Sequence, residues 1–287
     1  MGVDLQAIRL LDQYTKSKKL GNVLTLGRQG LSLGRSEIQI AAKKYGISNS
    51  LLESEWCEQL LMKHFGANSV NSLDCSNFEG ATIVQDLNEL IKSEVQYDTV
   101  LDFGTSEHIY NIKIVYENIK NLCKTDGGII HLLPANNFCG HGFYQFSPMF
   151  FRSVYGEESG FMIESMYLAK MSKDSGWFEV HNVKANDRFV FYNNYPTTVM
   201  LIAQKKSTEN SLTIQQPDYQ NNWINHGSLG INKKQNLALS KLKYFLNTHD
   251  FNGVAKFLIY LYKIIYPYHG YSTKLERSQY ALKENKK

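Results

Sequence analysis

The densest group of chemically active side chains follows a short apolar segment that ends at Asp102. The next residues, FGTSEH, place Glu107 and His108 side by side in one turn. A carboxylate beside an imidazole can orient the ring while the ring takes a proton from a substrate hydroxyl. We predict that Glu107 and His108 are catalytic residues. The alternative is that His108 has a purely structural role.

A further histidine, His141, lies in the later string CGHGFYQFSP. This string mixes glycines, aromatic rings, an amide and an imidazole, a composition that suits a pocket wall better than a hydrophobic core. We predict that His141 is the alternative general base. We also predict that Asn137, Tyr144 and Gln145 bind the substrate.

Two more carboxylates stand where apolar segments end: Asp74 precedes Cys75, and Asp86 precedes Leu87 in the string DLN. A carboxylate after one strand can accept hydrogen bonds from ribose hydroxyls, and one after the next strand can receive an adenine amino group. Asp also caps short helices, which is the structural alternative. Together the two acids predict a ligand that contains adenosine.

A glycine turn closes the first apolar segment in the string TLGRQG, which contains Gly27, Arg28 and Gln29. Glycines let a backbone approach a ligand closely, so these three residues are candidates for cofactor binding. The dinucleotide string GxGxxG and the phosphate string GxxxxGK[ST] are both absent. A tight structural turn therefore remains the alternative.

Short apolar segments alternate with helical patterns over the first half of the chain, which predicts an α/β fold with a mostly parallel sheet. Three later segments rich in β-forming residues predict an antiparallel edge. The predicted helices cover residues 5–19, 50–65 and 111–124. The predicted strands cover residues 23–26, a segment ending at 73–74, 81–85, 99–103, 129–133, 161–170, 177–183 and 198–204.

The chain has 287 residues with 31 Lys and Arg against 27 Asp and Glu, a formal net charge of +4. So small a charge gives no strong signal for nucleic-acid binding. The 4 Cys and 8 His form no local ligand cluster in the sequence, so we expect no metal site. Scattered cysteines and a first segment without signal-peptide features favour a cytoplasmic protein.

The region from residue 206 to 287 differs from the rest. It begins polar and rich in Asn and Gln, and helical patterns follow at residues 237–249 and 254–266. The second pattern is too short for a transmembrane segment, which needs about 20 apolar residues. We expect a mainly helical C-terminal extension. The second pattern predicts a helix that packs against the protein, and a homodimer contact or a helix at a membrane surface are its alternatives.

Several ordered strings at the predicted strand ends resemble class I S-adenosylmethionine-dependent methyltransferases, in particular a bacterial branch. The strings are VLTLGRQ, LDCSNFEGA, DLN, DFGTSEH and HGFYQFSP. The resemblance runs from about Val23 to Ala203. It implies a Rossmann-like, doubly wound, seven-stranded sheet with an antiparallel terminal hairpin, in a domain of residues 1–205 with helical extensions at both ends.

The resemblance also implies roles for the residues at the strand ends. Gly27 and its loop would lie against the methionine part of S-adenosylmethionine, Asp74 near the ribose and Asp86 near the adenine. Asp102, with Gly104 beyond it, would face the cofactor and the acceptor, and Glu107 and His108 would approach the acceptor. The chain departs from the family pattern at Thr25, where an acidic residue is usual, and at GRQG, where GxGxG is usual.

The implied reaction is methyl transfer, most simply to a hydroxyl of a small molecule or of a sugar such as a surface-glycan precursor. The [DNS]PP[YF] string of methyltransferases that act on base amino groups is absent after Asp102. Two alternatives stay open. One is a non-catalytic binding or scaffold protein, and the other is a nicotinamide-dependent oxidoreductase.

Overall fold

The computed structural model describes residues 2–171, 176–181, 191, 193–208, 214 and 276–277. The chain divides into two units, and the first comprises Met1–Val180, Tyr195–Ile214 and Glu276–Lys287. The elements below all belong to the first unit. The predicted helices at 237–249 and 254–266, and the homodimer contact through them, lie outside the described residues.

The described strands form one sheet. They are β1 (Asn22–Leu26), β2 (Ser69–Asp74), β3 (Ile83–Val84), β4 (Tyr97–Asp102), β5 (Cys123–Asn136), β6 (Phe161–Lys170), β7 (Trp177–Glu179), β8 (Thr197–Lys205) and β9 (Glu276–Arg277). Their order across the sheet is β3-β2-β1-β4-β5-β8-β6-β7-β9. The carboxyl ends of β1, β2 and β4 therefore meet at one edge, where loops can surround a ligand.

The α/β fold is confirmed, but the sheet differs from the expected seven strands. Nine strands pair among the described residues, with four neighbouring pairs parallel and four antiparallel, so the sheet is mixed rather than mostly parallel. The first five strands are the parallel part. The difference arises at the far edge, where β7 and β9 add antiparallel strands beyond β6.

Six α-helices connect or flank the strands. They are α1 (Leu5–Thr15), α2 (Arg35–Tyr45), α3 (Asn49–Leu52), α4 (Glu58–Lys63), α5 (Ile112–Leu122) and α6 (Pro148–Val154) within the described residues. The predicted helices at 5–19 and 111–124 are present as α1 and α5. The helix α2 was not predicted, because only Ala41 of its side chains is buried and the apolar pattern is weak.

The predicted single helix at 50–65 is wrong, since α3 and α4 are separate. The backbone between them pairs instead with the loop that follows β1. Leu31 N donates to Glu55 O at 3.0 Å, and Cys57 N donates to Gln29 O at 2.9 Å. A backbone N–H cannot serve this pairing and an uninterrupted helix at once, so the helix is broken where the loop is held.

Helices cover both faces of the sheet, as the side-chain alternation along β5 shows. Ile130 and Leu132 belong to the apolar core that includes Ile8 of α1. His131, which lies between them, points to the opposite face and contacts the ring of Tyr116 in α5. No described helix is both long and apolar enough to span a lipid bilayer.

Candidate functional site

A cleft of about 570 Å³ opens at the carboxyl ends of the parallel strands. The loops after β1, β2, β3 and β4 contribute most of its walls. Eight of the nine residues predicted to bind the cofactor line it, namely Gly27, Arg28, Gln29, Asp74, Cys75, Asp86, Leu87 and Gly104. Each of these four loops contributes further lining residues, among them Gly30, Glu79, Asn88 and Thr105. Residues far apart in sequence therefore share one concave surface.

The turn after β1 depends on a threonine for a side-chain hydrogen bond and on a glycine for its backbone conformation. Gly27 has φ +64°, a conformation that L side chains rarely adopt. A Cβ at Gly27 would also lie 2.8 Å from Thr105 Oγ1. Thr25 is buried and its hydroxyl donates to Gly27 O at 2.8 Å. Thr25 thus braces the turn from inside, at the position where the resemblance leads one to expect an acid.

The next two side chains are engaged within the protein. Arg28 Nε donates to Glu58 Oε1 at 2.7 Å, and the guanidinium lies over the ring of Trp56, 4.4 Å from its centroid. Gln29 is buried and its Nε2 donates to Leu26 O at 2.5 Å. Arg28 and Gln29 therefore shape the cleft wall, and the buried Oε1 of Gln29 has no hydrogen-bond partner among the described residues.

The two acids at the other strand ends remain accessible on the cleft wall. Asp74 follows Leu73 at the end of β2, and its Oδ1 accepts from Ser76 N at 3.2 Å. Asp86 is exposed, and its Oδ1 accepts from Asn88 N at 2.8 Å. A carboxylate offers about four acceptor sites, so each of these acids can also receive hydrogen bonds from a ligand.

Apolar and sulfur-bearing groups accompany the two acids. Leu87 is buried yet lines the cleft, where it offers an apolar contact next to Asp86. Cys75 is exposed, and a hydrogen bond with Asp74 is the main reason that the pKa of its thiol lies above the usual value. A thiol in this state is a poor nucleophile, so Cys75 belongs to the wall.

Asp102, the ninth predicted cofactor-binding residue, does not line the cleft. Its side chain is fully buried, and it accepts hydrogen bonds from the Ser106 hydroxyl and from Thr105 N. His131 Nδ1 lies 3.1 Å from Asp102 Oδ2, and His131 Nε2 lies 2.8 Å from the hydroxyl of Tyr155. The expectation that Asp102 faces the cofactor and the acceptor is therefore corrected. Its carboxylate builds the turn after β4 instead.

The turn that Asp102 organises carries the predicted catalytic pair. Residues Ser106–His108 form a short 3₁₀ turn. The fully buried carboxyl of Glu107 lies 3.8 Å from His108 Nε2 and 3.4 Å from His141 Nε2, both measured from Oε1. The rings of His108 and His141 meet edge to face, with centroids 4.8 Å apart. Residue 141 is distant from residues 107 and 108 in the chain, and the fold brings these three predicted catalytic residues together.

The carboxyl of Glu107 has an unusual environment. Neither of its oxygens has a hydrogen-bond partner among the described residues. Burial, followed by the negative charge of Asp102, raises the pKa of Glu107 to about 8. Burial also lowers the pKa of His108 and of His141. The cluster therefore concentrates groups whose proton affinities differ from those of exposed side chains, a common property of functional sites.

A loop holds His141 against this cluster. Glu107 O accepts hydrogen bonds from Phe143 N at 2.6 Å and from Tyr144 N at 3.2 Å. The intervening Gly142 has φ +68°, and a Cβ there would lie 2.7 Å from Glu107 O. The close approach of the two backbones thus requires glycine, and it fixes His141 beside the carboxyl.

The residues predicted to bind the acceptor make hydrogen bonds within the protein, in or next to this loop. They are not among the residues that line the cleft. The Tyr144 hydroxyl donates to Tyr110 O at 2.6 Å, and Gln145 Oε1 accepts from Phe138 N at 2.9 Å. Asn137 Nδ2 donates to a backbone carbonyl at 2.9 Å. Acceptor binding by Asn137, Tyr144 and Gln145 stays a prediction, since each of them has at least one internal partner.

Sequence reasoning missed other cleft residues. Thr105 lines the cleft, and its hydroxyl donates to Leu26 O at 2.6 Å, which joins the turns after β1 and β4. Trp56 and Glu79 also line the cleft. The signal for Thr105 was its place in the string after β4. No sequence signal pointed to Trp56, because it lies within the segment predicted to be a single helix, residues 50–65.

Comparisons with known proteins give weak similarities. The chain matches no protein-family model, and it matches no curated protein. A structure of the N-methyltransferase NodS from Bradyrhizobium japonicum with S-adenosyl-L-homocysteine has a TM-score of 0.40 at 8% identity, covering 69% of this chain and 85% of that chain.

Two further solved structures have similar scores. A putative methyltransferase in complex with the Haloferax volcanii activator Trm112 has a TM-score of 0.42 at 11% identity, covering 71% of this chain and 90% of that chain. A putative methyltransferase from Bacillus halodurans has a TM-score of 0.40 at 11% identity, covering 70% of this chain and 99% of that chain. With TM-scores below 0.5, these similarities assign no activity to the present chain.

Proposed function

We propose that the protein is an S-adenosylmethionine-dependent methyltransferase that acts on a hydroxyl of a small molecule or sugar. The observation that carries the proposal is the shared cleft, where the glycine turn after β1, the acids after β2 and β3 and the predicted base His108 line one surface. These groups come from four separate loops. The strand order alone brings the loops to one edge, and the glycine turn, the two acids and the imidazole on them are what suit the surface to an adenosine-containing ligand.

The cleft residues fit the chemical parts of the cofactor. Asp74 can accept hydrogen bonds from ribose hydroxyls, and Asp86 can accept one from an adenine amino group while Leu87 contacts the base. The turn at Gly27 presents backbone close to the cleft, as the methionine part of the ligand requires. When bound, S-adenosylmethionine supplies a methyl group on a positively charged sulfur.

The chain itself must align the acceptor and remove its proton. His108 lines the cleft, and Glu107 with His141 lies directly behind it. An imidazole nitrogen of His108 or His141 can accept a hydrogen bond from the acceptor hydroxyl, and Glu107 can orient the ring. Alignment of the two reactants supplies a large part of the rate enhancement in such transfers.

The acceptor is proposed to be polar, because the surroundings of the cluster combine aromatic and polar groups. Tyr110 and Phe143 are exposed and pack edge to face, with centroids 6.1 Å apart, next to the loop that carries His141. Exposed aromatic rings beside hydrogen-bonding groups suit the apolar and polar faces of a sugar. Mass spectrometry of candidate acceptors after incubation would detect the added methyl group.

Calorimetric titration tests the cofactor part of the proposal. We expect the wild type to bind S-adenosylhomocysteine. We expect Asp74→Ala to weaken binding about tenfold to a hundredfold, since hydrogen bonds to a charged group contribute about 1.5–3 kcal/mol. Asp12→Ala on α1, outside the cleft, is the matched control and should bind as the wild type does. Binding of NADH instead would indicate an oxidoreductase, and binding of neither ligand would indicate a scaffold.

A further inference from the structure

We propose that Glu107, His108 and His141 form a binding site for a divalent first-row transition-metal ion, with Zn²⁺ the best match. The three side chains offer two imidazole nitrogens and one carboxylate oxygen. These donor atoms all lie within 4.8 Å of one another. Residue 141 comes to residues 107 and 108 only through the fold, so the spacing of these residues along the chain does not indicate a metal site.

The distances fit a shared ion. A Zn²⁺ ion binds nitrogen and oxygen at about 2.0–2.2 Å, which in tetrahedral geometry places donor atoms about 3.3–3.6 Å apart. Glu107 Oε1 lies 3.4 Å from His141 Nε2 and 3.8 Å from His108 Nε2. The three donor atoms lie within 4.8 Å of one another, so the imidazole rings must also turn toward each other for all three atoms to bind one ion.

The unpaired polar atoms of the cluster are a second, independent observation. The Glu107 side chain is fully buried, and both its oxygens lack a hydrogen-bond partner among the described residues. His141 Nε2, which faces the carboxyl, also lacks one. A buried polar group without a partner costs about 1–3 kcal/mol, and more if it is charged. An ion bound between the three groups would satisfy His141 Nε2 and one oxygen of Glu107 at once.

The donor set selects the class of ion. Mg²⁺ and Ca²⁺ prefer oxygen ligands, whereas two imidazoles with one carboxylate suit Zn²⁺ and its first-row neighbours. Three protein ligands leave a coordination position open, as in catalytic rather than structural zinc sites. His108 also lines the cleft, so the ion would lie at the border of the cleft.

The open position suggests a role for the ion, which rests on the proposed methyltransferase function. An acceptor hydroxyl oxygen would bind the ion there, and its pKa would fall as that of zinc-bound water does. The hydroxyl proton would then pass to water. In this arrangement His108 and His141 act as ligands, and proton loss from the acceptor no longer requires a free imidazole.

Metal binding is tested on the full chain without reference to activity. The chain is freed of metal with a chelator and titrated with Zn²⁺ by calorimetry and with Co²⁺ by visible absorption. We expect one ion per chain and little competition from Mg²⁺. Glu107→Gln, His108→Ala and His141→Ala should each weaken Zn²⁺ binding at least tenfold. His64→Ala on the far side of α4 is the matched control and should bind as the wild type does.

The outcomes separate this site from the proposed function. Absence of Zn²⁺ binding by the wild type, or unchanged binding in the three variants, would overturn the site. Thermal unfolding of Glu107→Gln, which keeps the shape of the side chain, shows whether lost binding reflects lost folding. Zn²⁺ binding without S-adenosylhomocysteine binding would support the site and contradict the methyltransferase proposal. Full methyl transfer by chelated protein would contradict the role of the ion in acceptor binding.

Discussion

At the residue scale, the most constrained polar group is the carboxylate of Asp102. It is fully buried, yet the Ser106 hydroxyl, Thr105 N and the ring of His131 surround it. Burial alone would raise the pKa of Asp102, but the interaction with His131 and the hydrogen bonds from Ser106 and Thr105 together outweigh that effect and lower it. The ionised carboxylate therefore stabilises the turn that carries the candidate catalytic residues.

This arrangement predicts how stability depends on pH. Because the pKa of Asp102 is lower in the folded chain, the ionised group contributes stability above its unfolded pKa, and that contribution is lost as pH falls through the folded value. We expect Asp102→Asn to lower the free energy of unfolding near neutral pH by about 3 kcal/mol. Urea unfolding at a series of acidic pH values should show a flatter dependence in the variant. Asp12→Asn is the surface control, and parallel curves for Asp102→Asn and the wild type would disprove the role.

The place of a residue at the cleft could be predicted from the sequence where it follows from local position, while its role in binding stays a prediction. Asp74 and Asp86 stand at strand ends, so their place at the cleft could be predicted from the apolar segments before them. Asp102 stands at a strand end too, but it is paired with His131 on the neighbouring strand β5. That pairing depends on strand order and side-chain direction, which the local pattern of the sequence does not specify.

At the element scale, the loops that close the cleft are tied to one another by backbone and side-chain hydrogen bonds. Thr105, in the turn after β4, donates to Leu26 O at the end of β1. Gly27 N donates to Leu73 O on the neighbouring strand at 2.7 Å. The three strand ends thus form one braced unit, and a disturbance in one turn should reach the others.

A pair of glycine substitutions tests this bracing. Gly27 and Gly46 have nearly the same φ, +64° and +67°, but a Cβ at Gly46 has no atom within 4 Å. Alanine at either position costs about 1–2 kcal/mol of stability through its backbone alone. Only Gly27→Ala also presses on Thr105, so only this variant should lose affinity for S-adenosylhomocysteine, about tenfold by calorimetry. Equal affinity in both variants would show that the turn does not position the ligand.

Elements in which apolar residues recur at regular spacing could be predicted. Elements whose ends depend on hydrogen bonds to another loop could not. Helices α1 and α5 carry clear apolar faces and appear where the pattern placed them. The break between α3 and α4 arises from hydrogen bonds to the loop after β1, a contact between segments that no local pattern reveals. The same pairing brings Trp56 to the cleft, where its ring supports Arg28.

At the scale of the whole molecule, the parallel half of the sheet carries the candidate site, and the antiparallel half extends the edge away from it. The strands β1 to β4 supply the ends around the cleft, while β8, β6, β7 and β9 follow β5 in that order toward the far edge. The α/β class followed from alternating segments, but the nine-strand order required the structure. The mainly helical extension at 206–287 and its homodimer contact stay predictions.

The central claim is that the cleft at the carboxyl ends of the parallel strands binds S-adenosylmethionine. Ultraviolet crosslinking of methyl-labelled S-adenosylmethionine to the full chain, followed by peptide mapping, tests it directly. We expect label in peptides that contain residues 27–30, 74–88 or 104–109, which line the cleft, and we expect excess S-adenosylhomocysteine to prevent labelling. Absence of competed label, or label confined to peptides outside these segments, would contradict the account.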